Sequence, residues 1–171
     1  TWWGNTIDTA SSIGTSTEMI QGQFNMLTSN QPNLVVNGDF ATDSDWNKTQ
    51  ATISNGEANI SSDGSYTAID QGNVSVIGKT YFYSINVKSI TGTMQFRLGS
   101  GTDVDITTIG IKTGYIVATS TTLEIKRKAG FGAINATIDN VSVKEVRATT
   151  VEASKCLADA IHRIGIQDIQ N

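Results

Sequence analysis

Asp103 and Asp105, two carboxylates two residues apart, are the pair in this chain best spaced to attempt acid–base chemistry. On a strand they share one face. Glycoside hydrolysis, however, asks for carboxyls about 5–9.5 Å apart across a cleft, with the substrate between them. The pair is therefore expected to be a solvated strand edge. His162 is the single histidine and Cys156 the single cysteine. Zinc sites and His-based triads cannot be assembled from this chain alone, and no internal disulfide is available. Gly99-Ser-Gly101 is a glycine-rich turn without the following helix that a phosphate loop requires. No catalytic set is expected, so the chain is read as a non-enzyme.

The charge balance is mild, with 12 basic against 16 acidic residues in 171. Its one cationic run, Lys126-Arg127-Lys128, is split between two faces by strand alternation. That is too little to neutralise a phosphate backbone, so nucleic acid is not an expected partner. No apolar run approaches the ~18–20 residues of a membrane span, which removes a membrane partner as well.

Residues 33–146 carry the organisation of the chain: short β-type runs separated by Gly, Asn, Asp, Ser and Thr. Strands are predicted at 33–36, 50–54, 57–61, 65–69, 74–77, 79–89, 92–98, 104–111, 114–118, 121–127 and 134–146. Tyr81, Tyr83, Ile85 and Val87 alternate with Phe82, Ser84, Asn86 and Lys88, the period of two expected when one sheet face is buried. Met94, Phe96 and Leu98 alternate with Gln95 and Arg97 in the same way. Ser54-Asn-Gly56 and Thr91-Gly-Thr93 carry turn chemistry. Many short strands with turns every 8–12 residues predict an all-β antiparallel sandwich or jelly roll, with the first and last strands as neighbours.

The flanks read differently. In the arm 1–32, Thr15-Ser-Thr-Glu18 is a capping box ahead of Ile20, Phe24 and Leu27 on one helical face, and Gln31-Pro32 ends the element. Ile13, Ile20 and Leu27 are spaced by seven, as in a small parallel bundle between copies. Trp2 and Trp3 need a surface to cover them, their own domain or another subunit. In 147–171, Thr149-Thr-Val-Glu152 caps a second amphipathic helix whose stripe includes Leu157, Ile161 and Ile164. That stripe docks either on the sandwich or on another chain. Trp2, Trp3, Ile20, Phe24, Leu27, Leu157, Ile161 and Ile164 are the candidate assembly residues, for a homo-oligomer (a trimer for preference) or other virion proteins.

The bracketing motifs resemble the carbohydrate-binding-module jelly-roll superfamily, in the form found in bacteriophage structural proteins. The match rests on Leu34-Val-Val-Asn-Gly-Asp-Phe40, Ser44-Asp-Trp46, Ala51-Thr-Ile-Ser-Asn-Gly-Glu57, Gly78-Lys-Thr-Tyr81 and Ala136-Thr-Ile-Asp-Asn-Val-Ser-Val143, about two thirds of the chain. The short helical extensions expected at both ends rest on the capping boxes and apolar spacing alone. The resemblance implies a two-sheet sandwich able to bind glycans on a concave face or loop end. It also implies one structural calcium where the first and last strands meet; Asp39 and Asp139 fall in those motifs. No other cofactor is required. Aromatic platforms and planar polar groups are what a sugar needs. Tyr66, Gln95, Arg97 and Tyr115 are the candidates, while Trp46 is assigned to the core.

The function expected from these readings is a non-enzymatic virion component (tail, fibre, neck or capsid decoration) displaying the jelly roll and held by its arms. The alternative is a carbohydrate-binding module with its own glycan affinity. Location follows: the phage particle, or in the alternative the extracellular space, with a host surface glycan as ligand.

Overall fold

The computed structural model describes residues 31–147 apart from Thr102. The predicted terminal helices and all eight candidate assembly residues lie outside the described residues. Within them the chain is all-β, in ten strands and two antiparallel sheets.

In chain order the strands are β1 (Asn47–Thr49), β2 (Ala51–Ser54), β3 (Glu57–Ser62), β4 (Ala68–Gln71), β5 (Thr80–Thr91), β6 (Met94–Arg97), β7 (Val104–Ile106), β8 (Gly110–Val117), β9 (Leu123–Arg127) and β10 (Ile134–Glu145). One sheet has the order β1-β4-β9-β6-β7, the other β2-β3-β10-β5-β8. They are called the first and second sheet below. β5 and β10, twelve residues each, form the long central pair of the second sheet.

Alternation decides which side chains meet between the sheets. Tyr81, Tyr83, Ile85 and Val87 of β5 face Met94, Phe96, Leu123, Ile125 and Ile69 from the first sheet in one apolar core. Tyr83 and Phe96 stack across the gap with ring centroids 4.6 Å apart. Trp46 is buried as expected, its ring 5.3 Å from Phe40 and its Nε1–H donated to the Asn37 carbonyl at 3.0 Å. The Ser54-Asn-Gly56 turn forms with both Asn55 and Gly56 at positive φ, the geometry that matches strand twist in a two-residue hairpin.

Three strand predictions need correction, and one strand was missed. Residues 33–36 run beside β10 without forming a ladder. Leu34 N–H reaches the Val143 carbonyl, but Val143 and Val35 both donate to the Asn33 side-chain oxygen, and Asn37 and Phe40 at positive φ turn the chain away. Residues 74–77 are also not a strand: Val74 and Ser75 N–H converge on one carbonyl, Thr121, and Val76 N–H is taken by the Tyr81 hydroxyl. The predicted single strand 104–111 is two elements in different sheets, redirected where Gly110 adopts φ 99. Conversely, β1 was not predicted, because all three of its residues are polar and exposed and leave no alternation to read.

Gln71, buried among apolar neighbours, fixes the opening loop by accepting from Val36 N–H and donating to the Val36 and Asp45 carbonyls, each at 2.9 Å. Beside it, Gly38 N-terminally abuts the last strand: a Cβ there would stand 2.1 Å from the Val141 carbonyl oxygen, while Val141 N–H already donates to the Gly38 carbonyl. Gly38→Ala should therefore cost about 1–3 kcal/mol or more, as overpacking against backbone does. Gly72→Ala, with nothing within 4 Å of its Cβ, should be neutral or slightly stabilising. The urea midpoints of the two variants check this.

Candidate functional site

The face of the first sheet that points away from the core carries most of the polar side chains of interest. Its residues alternate with the buried Ile69, Ile125, Leu123, Met94 and Phe96. Strand register sets them in two rows. Asn47 pairs with Asp70, Asp70 with Glu124, and Glu124 with Arg97. In the neighbouring row Thr49 pairs with Ala68, Ala68 with Lys126, Lys126 with Gln95, and Gln95 with Asp105. Tyr66, just before β4, is 51% exposed at the edge of these rows. Ala68, in the same row, is buried at 1% exposed.

Glu124 is the hub. Its Oε2 accepts from Arg97 Nε at 2.5 Å and also bonds Arg97 Nη2, and its Oε1 accepts the Tyr66 hydroxyl. The second end of the Arg97 guanidinium lies 3.7 Å from Asp103. Across the other row, Gln95 Nε2 donates to Asp105 Oδ1 at 2.9 Å, and Lys128 ion-pairs with Asp105 Oδ2. Asn47 donates to Asp70 at 2.9 Å. Asp103 and Asp105 thus serve as counter-ions to Arg97 and Lys128. The Lys128 bond, followed by the Gln95 bond, holds the Asp105 carboxyl below its ordinary range.

Tyr66 responds in the opposite direction. Partial burial first, then its bond to Glu124 and the nearby negative charge, push the phenol up to about 12. Ionising it would remove the donated proton and set a phenolate beside a carboxylate.

Next to Arg97 and Glu124 a depression of about 270 Å³ is lined by Gly99, Ser100, Thr119, Ser120 and Thr122. It exists because Gly99, at φ 104, lets the loop after β6 touch residues 119–120. A Cβ there would fall 2.6 Å from the Ser120 nitrogen. Thr119 and Ser120 N–H both donate to the Leu98 carbonyl. The Gly99-Ser-Gly101 turn therefore shapes a wall.

Of the four predicted sugar-site residues, three share this face: Tyr66, Gln95 and Arg97. Tyr115 does not. It lies on β8 in the second sheet, with its ring 5.3 Å from Phe82. Sequence reading missed Glu124, Lys126, Asp70 and Asn47. The Leu123–Ile125 alternation could have marked Glu124 and Lys126 as outward, but not that β9 sits between β4 and β6.

Asp39 and Asp139 do not form a site that fits the calcium implied by the resemblance. Asp39 Oδ1 caps its own turn through Ala41 N–H at 3.4 Å. Asp139 accepts from Asn140 N–H at 2.6 Å and Asn140 Nδ2 at 2.9 Å. The Lys88 ammonium stands 3.6 Å from Asp139 and 3.7 Å from Glu57, so a cation is already supplied by a side chain. Among the described residues no group of three His, Cys, Asp or Glu side chains could hold a metal ion.

No family model matches the chain, and no curated protein matches it. Solved structures do. A structure described as CBM4 aligns over 65% of this chain and 99% of its own, at 16% identity and TM-score 0.41. The N-terminal cellulose-binding domain of Cellulomonas fimi beta-1,4-glucanase C covers 67% of this chain and 98% of its own, at 14% identity and TM-score 0.44. A family 29 carbohydrate-binding module from Piromyces equi aligns over 61% and 82%, at 7% identity and TM-score 0.38. These structural neighbours are carbohydrate-binding modules.

Two measurements probe the site and its surroundings. A folded-state phenol near 12, above the ordinary 10, means the Tyr66–Glu124 bond contributes fully below pH 10 and is lost as pH rises through about 12. Burial also raises the Tyr83 phenol. Tyrosinate absorbance should therefore show late-titrating tyrosines, of which one disappears in Tyr66→Phe and moves earlier in Glu124→Gln, while the Tyr83 component stays. Thermal melting with and without a calcium chelator should give the same midpoint; a drop on chelation would restore the metal.

Proposed function

We propose that the outward face of the first sheet binds a glycan, and that the chain is a non-catalytic carbohydrate-binding module. One observation carries this reading: an exposed aromatic ring, Tyr66, stands beside a fixed set of planar polar groups in Arg97, Gln95, Asn47 and Asp70. A sugar ring offers an apolar face to the phenol and hydroxyls to amides, guanidinium and carboxylates. Because Arg97 and Gln95 are held by Glu124 and Asp105, their remaining hydrogen-bonding capacity is oriented before a ligand arrives.

The rows run across the strands. Strands lie about 4.8 Å apart, so a row of four reaches across roughly 15 Å, enough for several linked sugar rings. The depression beside Arg97, at about 270 Å³ and bordered by Thr119, Ser120 and Thr122, accepts one ring at the end of that path. The site carries both signs of charge in near balance, which suits an uncharged glycan.

The reading as a displayed virion component depends on residues 1–30 and 148–171 and gains nothing from the sandwich itself. The glycan reading therefore leads.

A glycan array followed by calorimetry on the best hit tests it. Tyr66→Ala and Arg97→Ala should each weaken binding at least about tenfold, the effect of losing ~1.4 kcal/mol, and Tyr115→Ala should leave it unchanged. No binding to any glycan, or equal losses for Tyr115→Ala and Tyr66→Ala, would overturn the assignment.

A further inference from the structure

Where β7 ends the first sheet and β8 ends the second, the sheets part and a cleft of about 400 Å³ opens between them. That volume falls in the range of small-ligand sites. Two groups that line it keep bonding capacity which the chain itself does not use. The first is the Tyr83 hydroxyl. Tyr83 is only 5% exposed, yet its hydroxyl has no hydrogen-bond partner among the described residues. Every fully enclosed side-chain oxygen and nitrogen among them does have one. The phenol reaches the cleft because Gly114 stands opposite it on β8, where a Cβ would come 2.8 Å from the hydroxyl oxygen. Burial pushes this phenol up, so it stays an O–H donor at neutral pH.

The second group is the Lys112 ammonium. Lys112 and Gly114 share the inward face of β8. Lys112 donates to Thr108 Oγ1 and to the Ile109 carbonyl, each at 2.8 Å, and both acceptors are neutral. An ammonium has three N–H donors, so one is left over. Among the described residues no carboxylate pairs with it. Asp105 borders the cleft, but by alternation its carboxyl stands on the outer face, where Gln95 and Lys128 hold it.

We infer that this cleft binds an acidic sugar, a ligand one ring in size, with one carboxylate oxygen on Lys112 Nζ and the other on the Tyr83 hydroxyl. Two donors and one positive charge match two oxygens that share one negative charge. A phosphate brings more oxygens and more charge than the pair can satisfy. Thr107 and Thr108 offer hydroxyls to those of the ring, and Val104 and Ile106 an apolar wall to its C–H edge. The outer face of the first sheet differs, because Arg97 and Lys128 already have carboxylates there. The two sites use different side chains, so this assignment holds or fails independently of the glycan reading.

Titration of the full chain with sodium D-glucuronate, followed by backbone amide shifts against sodium chloride at equal ionic strength, tests it. Saturable changes should appear at residues 104–108 and 111–113. Glucuronamide, the neutral counterpart, should bind at least about tenfold more weakly. The same loss is expected for Lys112→Met, which keeps the stem, and for Tyr83→Phe, which keeps the stack on Phe96. Lys144→Met, on β10 and outside the cleft, should leave the affinity unchanged. No saturable shift at these residues overturns the inference. So does glucuronamide bound as tightly as glucuronate, binding undiminished by Tyr83→Phe, or equal losses for Lys112→Met and Lys144→Met.

Discussion

The stack of Tyr83 on Phe96 is the contact on which the rest of the domain rests. One ring comes from β5 and the other from β6, so it ties the two sheets together at the centre of the core. Both side chains are held to the inside by strict alternation, and that alternation sends Gln95 and Arg97 to the outside of the same strand. Gly114 completes the arrangement. Any Cβ there would stand 2.8 Å from the Tyr83 ring, so the neighbouring strand is shaped around the aromatic. Core packing and surface display are thus one constraint: the residue that fixes the inner face also fixes which neighbour reaches solvent.

On that outer face the polar groups satisfy one another before any ligand is present. Glu124 collects Arg97 and Tyr66, and Asp105 collects Gln95 and Lys128. Exposed ion pairs of this sort contribute little to stability. Their value lies in orientation: a guanidinium and an amide held in place lose less entropy on binding than free ones. The same mutual satisfaction takes in the aspartate pair at 103 and 105, which stand against Arg97 and Lys128. Lys88, set between Glu57 and Asp139, does the corresponding work on the other sheet.

The sandwich was legible from the sequence because a buried sheet face imposes a period of two, clearest in 81–88 and 94–98. Trp46 could be placed in the core for a related reason: its surroundings, Phe40 and the Asn37 turn, form a local motif. What failed was whatever depended on backbone geometry or on partners distant in sequence. β1 is polar on both sides. The opening segment runs along β10 through Asn33 side-chain bonds, which no hydrophobic pattern records. The break at 107–109 turns on a positive φ at Gly110. For the site, types suggested Tyr66, Gln95 and Arg97, but only sheet order could show that β9 brings Glu124 between them and that Tyr115 belongs to the opposite sheet.

The position of β10 also bears on how the protein comes into being. This last strand fills the middle of its sheet, between β3 and β5, pairing Ala136 with Ile60 and Ile90. Until residue 145 has left the ribosome, β3 and β5 have no common neighbour and the apolar faces of both stand open. Synthesis at about 5–20 residues per second leaves that gap for several seconds, so closure of the sandwich waits on its last strand. Nascent chains held close together on one message would be at their stickiest in that interval.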